Sequence, residues 1–267
     1  MIQTKKPDWG KRIERAIDLA GQHPSSAEVL AFYSRILEFQ KTLYEGVSSR
    51  TALGRDGSFH ERLDVDAAMR QLPSLLSLVQ KSGPSKLAQQ AAEISRGSSE
   101  QQRQMLHDFL AATDTDNAGP DSFFARVLFQ PLAEYVAATS AAESAGFAGS
   151  MCPVCGAKPQ VAVLRPEGDG GKRFLVCSFC LTEWESRRIL CPICGEVDHQ
   201  KLPRYSAEGI SAIRVEACDT CKYYLKSVDM TVDGHAVPLV DEVATVPLDV
   251  WAMDHGFNKI SLNLMGF

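Results

Sequence analysis

Eight cysteines are the residues whose type and spacing could do chemistry here, and each belongs to a Cys-x-x-Cys pair. The pairs are Cys152/Cys155, Cys177/Cys180, Cys191/Cys194 and Cys218/Cys221, and no cysteine falls elsewhere in the 267 residues. Two cysteines three positions apart on a tight turn can aim both sulfurs at one point, with backbone N–H groups facing the thiolates. Two such turns opposed to each other surround one ion tetrahedrally, the closed arrangement used for structural zinc or a single iron. Proline follows the first cysteine at Pro153 and Pro192 and pre-sets the turn. Gly156 and Gly195 follow the second cysteine and supply the positive φ that ends it. The other two turns carry Leu181 and Lys222 in that place, so each site should join a glycine-bearing turn to one without.

An internal repeat indicates which pairs belong together. The gaps between pairs are 21, 10 and 23 residues; Cys152 recurs 39 positions later as Cys191, and Cys177 recurs 41 later as Cys218. This favours sequential pairing, first with second and third with fourth, over a nested arrangement. The expected ligands are thus Cys152, Cys155, Cys177 and Cys180 for one ion, and Cys191, Cys194, Cys218 and Cys221 for the other. Disulfides would need an oxidising compartment, and the charged start Met1–Pro7 is not followed by the apolar run of a signal peptide. A thioredoxin-like motif lacks its βαβ setting. An iron–sulfur cluster uses the same four thiolates, and spacing does not exclude it.

Bulk composition narrows the function classes. Net charge is −5, with 45% hydrophobic and 23% charged residues, ordinary for a globular protein with room for two or three domains. From Ser150 onward there are twelve Lys/Arg against fifteen Asp/Glu. That half lacks the basic excess on which phosphate binding draws, so a nucleic-acid-binding zinc ribbon is the weaker reading. No apolar run approaches the roughly 18 residues of a membrane helix.

The elements that must position the cysteines change character near Ser150. Before it the periodicity is helical. Trp9–Ala20 places Ile13, Ala16, Ile17 and Ala20 on one face, Pro24 ends that helix, and Ser25-Ser26-Ala27-Glu28 resembles a capping box. The next helix carries Val29, Phe32, Tyr33, Ile36, Leu37 and Leu43, with a loop from Gly46 to Ser58 after it. Leu63–Gln80 is helical with a new helix expected at Pro73. Lys86–Ser95 and Glu100–Ala112 follow, the latter with Ser98 and Gln101 at capping-box spacing, then a polar turn over Thr113–Pro120. Phe123–Ala142 reads as a last helix or helix pair that buries Phe124, Val127, Leu128, Leu132, Tyr135 and Val136, and small residues from Ala141 to Ser150 read as a linker.

After the linker, short strands are expected at Gln160–Leu164, Lys172–Val176, Thr182–Glu185, Ile210–Val215 and Tyr223–Val228. The final segment opens on Val-Pro-Leu-Val-Asp-Glu-Val and should be helical over Pro247–His255. Trp184 reads as a core cap over the first site, and Asp219 as a solvated residue between two ligands. None of the six histidines is needed as a ligand. The sequence holds no phosphate-cradling glycine loop, no His-Glu-x-x-His and no nucleophile elbow, so a non-catalytic protein is expected.

These residues resemble a known family, that of the formate dehydrogenase accessory protein FdhE. The resemblance rests on Cys152-Pro-Val-Cys-Gly156, Leu175-Val-Cys-x-x-Cys-x-Thr-Glu-Trp184, Ala217-Cys-Asp-Thr-Cys-Lys-Tyr-Tyr-Leu-Lys226 and Asp241-Glu-Val-Ala-Thr-Val-Pro-Leu-Asp249. It implies an α+β multidomain chain: an N-terminal all-α helical domain over 1–148, then two rubredoxin-like or zinc-ribbon four-cysteine metal domains over 149–188 and 189–267. It also implies two mononuclear ions, iron or zinc, on the two cysteine foursomes named above. The role implied is a cytoplasmic, non-catalytic maturation factor whose partner is the formate dehydrogenase catalytic subunit. A homodimer is compatible with this role, and the alternatives are a redox protein with thiolate-bound iron and the nucleic-acid-binding ribbon.

Overall fold

One helix is apolar nearly all round, and the first half of the chain is built about it. In the computed structural model, which describes residues 2–3, 6–48, 57–112, 122–139, 149–168 and 170–267, a two-residue strand, β1 (Ile2–Gln3), precedes six helices. These are α1 (Trp9–Gln22), α2 (Ala27–Ser48), α3 (Val65–Ser82), α4 (Ser85–Arg96), α5 (Ser99–Ala111) and α6 (Ser122–Thr139). In α6 the run from Phe124 to Val136 is buried except at Tyr135, the pattern of a helix enclosed on all sides. Proline at position 131 frees the carbonyl four residues back, and the buried Gln40 of α2 donates to that carbonyl, on Val127, at 3.1 Å. Pro73 also lies inside a continuous helix, α3, where a new start was expected. It is exposed, so the carbonyl it frees lies on the solvent side.

Two further expectations are corrected. Ile17 is 56% exposed, because the inner face of α1 is turned toward its arginines: Arg12 pairs with Glu134, and Arg15 with Asp233 and Asp241. No capping box forms at Ser25–Glu28. A 3₁₀ turn over Pro24–Ser26 runs straight into α2, Ser26 N donating to His23 O, so the helix start is already satisfied. The box at Ser98 and Gln101 does form at the start of α5. The loop and turn read at Gly46–Ser58 and Thr113–Pro120, and the linker read at Ala141–Ser150, lie wholly or largely outside the described residues.

The second half supplies β2 (Pro159–Glu167), β3 (Gly170–Cys177), β4 (Glu183–Glu185), β5 (Arg204–Ala207), β6 (Ile210–Ala217) and β7 (Tyr223–Asp229). It closes with α7 (Pro238–Ala244), α8 (Val246–Asp254) and β8 (Asn258–Lys259). β5 was not read from sequence, and helix begins earlier than Pro247, Pro238 being well placed in a first turn. Among the described residues the strands form one sheet ordered β1-β4-β3-β2-β7-β6-β5, with β8 beside β7. Each cysteine foursome is thereby attached to a three-stranded antiparallel unit, β2-β3-β4 or β5-β6-β7, and the two units are joined by the parallel pair β2–β7.

Alternation sorts the two faces of this sheet. Ala162, Leu175, Trp184 and Leu225 join the core of the helical half, while Val161, Val163, Val215, Tyr224 and Val228 pack with Leu248, Ala252 and Phe257 of the C-terminal segment. Among the described residues no helix is long and apolar enough to cross a membrane.

Candidate metal centres

The structure brings Cys152, Cys155, Cys177 and Cys180 together in one group and Cys191, Cys194, Cys218 and Cys221 in another, the sulfurs of each within 4.8 Å of one another. Neighbouring Sγ atoms lie 3.5 Å (Cys152–Cys180) and 3.3 Å (Cys155–Cys177) apart in the first group, and 3.6 Å (Cys191–Cys221 and Cys194–Cys218) in the second. A disulfide would need about 2.05 Å, and all eight cysteines are free. Four sulfurs about 2.3 Å from one zinc ion stand roughly 3.8 Å apart at the tetrahedral angle, so the spacing suits a cation better than a bond between sulfurs. Each group could hold a metal ion.

The local chemistry favours that fit. Phe179 N and Cys180 N donate to Cys177 Sγ at 3.3 and 3.4 Å. Burial lifts the Cys177 and Cys180 thiols well above their ordinary value, while hydrogen bonds from Cys155, Cys177 and Cys180 hold Cys152 below it. In the second group burial raises Cys191 and Cys221. Burial works against the Cys218 thiolate too, but the amides of Cys221 and Thr220 hold that thiol low. Burial thus keeps several of these thiols protonated, and a divalent cation would offset that cost by pairing with their thiolates. With four protein ligands such a site has no open position for a substrate.

The repeat is visible in the turns themselves. Cys152 N donates to Ala157 O and Gly156 N to Cys152 O; Cys191 N donates to Glu196 O and Gly195 N to Cys191 O. Likewise Cys177 N meets Thr182 O, as Cys218 N meets Tyr223 O, and Ser178 N meets Lys158 O, as Asp219 N meets Lys201 O. All four turns end on a positive φ: 78° at Gly156, 77° at Gly195, 58° at Leu181 and 60° at Lys222. Leu181 and Lys222 are the non-glycine residues with positive φ among the described residues, so the turn geometry imposes a left-handed backbone even where the side chain opposes it.

Surroundings separate the two groups. Phe179, between the ligands of the second turn, is 1% exposed and meets the rings of Phe109, Phe59 and His60 at 5.9, 6.4 and 6.2 Å. Burial there lowers the basicity of His60. Trp184 is fully buried in the same cluster as Cys152, Cys177 and Cys180, its Nε1 donating to Gly149 O at 3.2 Å. In the second group the corresponding residues Asp219 and Thr220 are exposed, and so is Cys194. That turn is instead tied by Lys222 to Asp219 at 2.9 Å and joined to the Cys191–Cys194 turn by Thr220 to Glu196 at 2.7 Å.

Two sets of residues that hold the centres in place were not singled out from sequence as acting together. Arg126, Gln130 and Glu134 form a buried polar row at spacings of four along α6. Arg126 and Gln130 both donate to Ser178 O, at 3.3 and 3.2 Å, Arg126 also reaches Leu262 O at 2.8 Å, and Glu134 takes Arg12 with two hydrogen bonds. Burial works against the Arg12 charge, but Glu134 more than compensates and holds it above its ordinary value. Polar residues recurring every fourth position in an otherwise apolar helix are the signal that could have revealed this row. The second set is a buried, charge-balanced foursome of Lys226, Lys259, Glu242 and Asp249. Lys226 Nζ lies 3.0 Å from Glu242 and 2.5 Å from Asp249, Lys259 contacts both carboxylates, and Tyr224 donates to Asp249 at 2.9 Å. This set ties β7, which follows the last turn, to the C-terminal helices.

Comparisons with known proteins meet these same residues. Residues 151–188 match the family model described as FdhE, central domain, and residues 189–265 the model described as FdhE, C-terminal domain. Family models and curated relatives alike support the FdhE family for this chain. A curated relative from Aquifex aeolicus (strain VF5), named "Protein FdhE homolog", is 29% identical over 93% of this chain and 92% of its own length. A second FdhE homolog, from Pseudomonas aeruginosa, is 35% identical over 43% of this chain and 39% of its own length. The fold extends to the crystal structure of the FdhE protein from Pseudomonas aeruginosa, with a TM-score of 0.74, 22% identity, and coverage of 99% of this chain and 98% of that one. As in that structure, a helical region is followed by a sheet region, and here the sheet region bears two four-cysteine groups.

Proposed function

We propose that this chain is a non-catalytic assembly factor that binds the catalytic subunit of formate dehydrogenase in the cytoplasm and supports its maturation. The observation that carries the reading is the match of the FdhE central and C-terminal domain models to the residues that build both cysteine groups. The eight cysteines serve as ligands to two mononuclear ions, iron or zinc. The ions hold the sheet units in shape, and the domain division 1–148, 149–188 and 189–267 accompanies this reading. The test is deletion of the gene in a strain that respires formate: loss of formate oxidation, with recovery of the chain bound to the catalytic subunit, supports the proposal. Normal formate oxidation in the deletion strain would refute it.

The exposure of Cys194 favours one second reading, electron exchange through thiolate-bound iron at the second group. Metal analysis of protein purified anaerobically from iron-replete cells separates the two. A colourless, zinc-loaded chain removes the redox reading and leaves the assembly role intact.

A further inference from the structure

The two sheet units are alike, but their free surfaces are not. Over the first unit, the face bearing Ala162, Leu175 and Trp184 is packed against the helices. On the second unit, strand pairing puts Arg204 beside Glu216 and Ser206 beside Arg214 on the corresponding face, and Arg204 and Ser206 are exposed. A cleft of about 330 Å³ opens there beside the second cysteine group, lined by Arg173, Arg188, Ile189, Arg204, Glu216 and Tyr223 among others. Ile189 and Tyr223 are 45% and 37% exposed.

Two features of this cleft call for a ligand. Glu216 gives one carboxylate oxygen to Arg173, at 2.9 Å, but its Oε1 is buried without a hydrogen-bond partner, with Arg204 Nε 4.0 Å away. A buried acceptor left unmet is unfavourable and is satisfied by an incoming donor. Arg188, exposed, donates to the backbone carbonyl of Gly171 and has no carboxylate partner among the described residues, while the exposed Arg204 donates to Arg188 O and has only the long pair to Glu216.

The cleft adjoins the free edge of the sheet. β5 is the last strand in the order. Ala217 N donates to Pro203 O, so by the alternation of an antiparallel ladder the N–H and C=O of Arg204 and Ser206 point to the open side. The corresponding strand of the first unit, β2, is not open: β7 occupies that edge in parallel register. The molecule therefore already shows what such an edge accepts.

We infer that β5 and its cleft receive an extended segment of the client polypeptide, added as a parallel strand. Acidic side chains of the segment meet Arg188 and Arg204, a donor meets Glu216 Oε1, and apolar side chains rest on Ile189 and Tyr223. Main-chain pairing supplies affinity, and the side-chain pockets supply selectivity. This inference rests on the client-binding reading above. Its test uses the full-length, metal-loaded chain and purified formate dehydrogenase catalytic subunit, with binding measured for wild type, Arg188→Glu and Ser206→Pro. Proline at 206 removes an N–H that no strand of the chain uses, a change edge strands tolerate; metal content and thermal unfolding of each variant confirm that the fold persists. At least tenfold weaker binding by both folded variants, with binding of Arg188→Glu less weakened by added salt than that of wild type, supports the inference. Wild-type affinity in both overturns it while leaving the client-binding reading standing. Absence of binding by the wild type overturns both. A wild-type dimer dispersed by Ser206→Pro would assign the edge to a second copy of this chain and overturn the client assignment.

Discussion

The two cysteine groups have the same ligands, the same turn hydrogen bonds and the same left-handed residue after the second cysteine, yet they stand in opposite environments. The first is built into the main core: Phe179 lies among aromatic rings from the helical half, and Ser178 O is held by two side chains of α6. The second stands at the edge, with Cys194, Asp219 and Thr220 exposed. Coordination chemistry alone therefore does not decide what a four-cysteine group does for a fold. The residues between the ligands decide whether it is a keystone or a peripheral clip.

Loss of ligands should separate the groups most strongly. Cys177→Ser/Cys180→Ser and Cys218→Ser/Cys221→Ser should each lower bound metal by about half, since binding and folding are coupled at roughly 10–16 kcal/mol per structural zinc. Circular dichroism should show the first variant losing helical as well as sheet signal, and the second retaining the helices. Equal loss of helix in both would break the comparison. A single aromatic comes next. Phe179→Ala should destabilise by about 3–5 kcal/mol in denaturant melts, whereas Thr220→Ala, exposed at the matching position, should stay within about 0.5 kcal/mol.

Smaller changes sharpen the same contrast. Gln130→Leu removes a buried donor to Ser178 O and the acceptor for Gln40, and should cost about 1–3 kcal/mol without changing metal content. Acid should act on the C-terminal lock beside the second unit. Burial opposes the Glu242 carboxylate, but Lys226 and Lys259 hold its carboxyl down at about 2. The unfolded chain takes up that proton first, so this stabilisation is whole above about pH 4.5 and is lost as pH falls toward 2. Thermal unfolding followed against pH should show a shallower acid slope for Glu242→Gln. The least effect is a gain: Lys222→Gly relieves a left-handed backbone worth roughly 1–2 kcal/mol. It also forfeits the exposed contacts to Asp219 and Phe257, so a net rise of about 1 kcal/mol or less is expected in the same melts.

Much of this contrast could not be read in advance. The cysteine groups were legible because each half-site is a local turn, and a repeat at 39 and 41 residues marks the partner turn. The helical half was legible from its apolar rows and from the Ser98–Gln101 cap. What escaped depends on distant partners. Pro131 sits within α6 because Gln40, far away in sequence, meets the carbonyl it frees. Ile17 is turned outward because α1 rotates its arginines toward Glu134 and Asp241. β5 is short and polar, and its strand character comes from pairing with β6 rather than from its own alternation. In each case a long-range polar contact overrode a local preference.

The parallel splice between β2 and β7 has a consequence for how such a chain could have arisen and could be rebuilt. Two like units are related there by translation, not by a two-fold axis, so the contact does not close on itself. Gene duplication in tandem generates that relation directly, with each new copy seating its last strand against the first strand of the copy before. By the same logic a third copy, grafted behind the second, would find a ready berth, and the array would lengthen like a ladder to which rungs are added from one end.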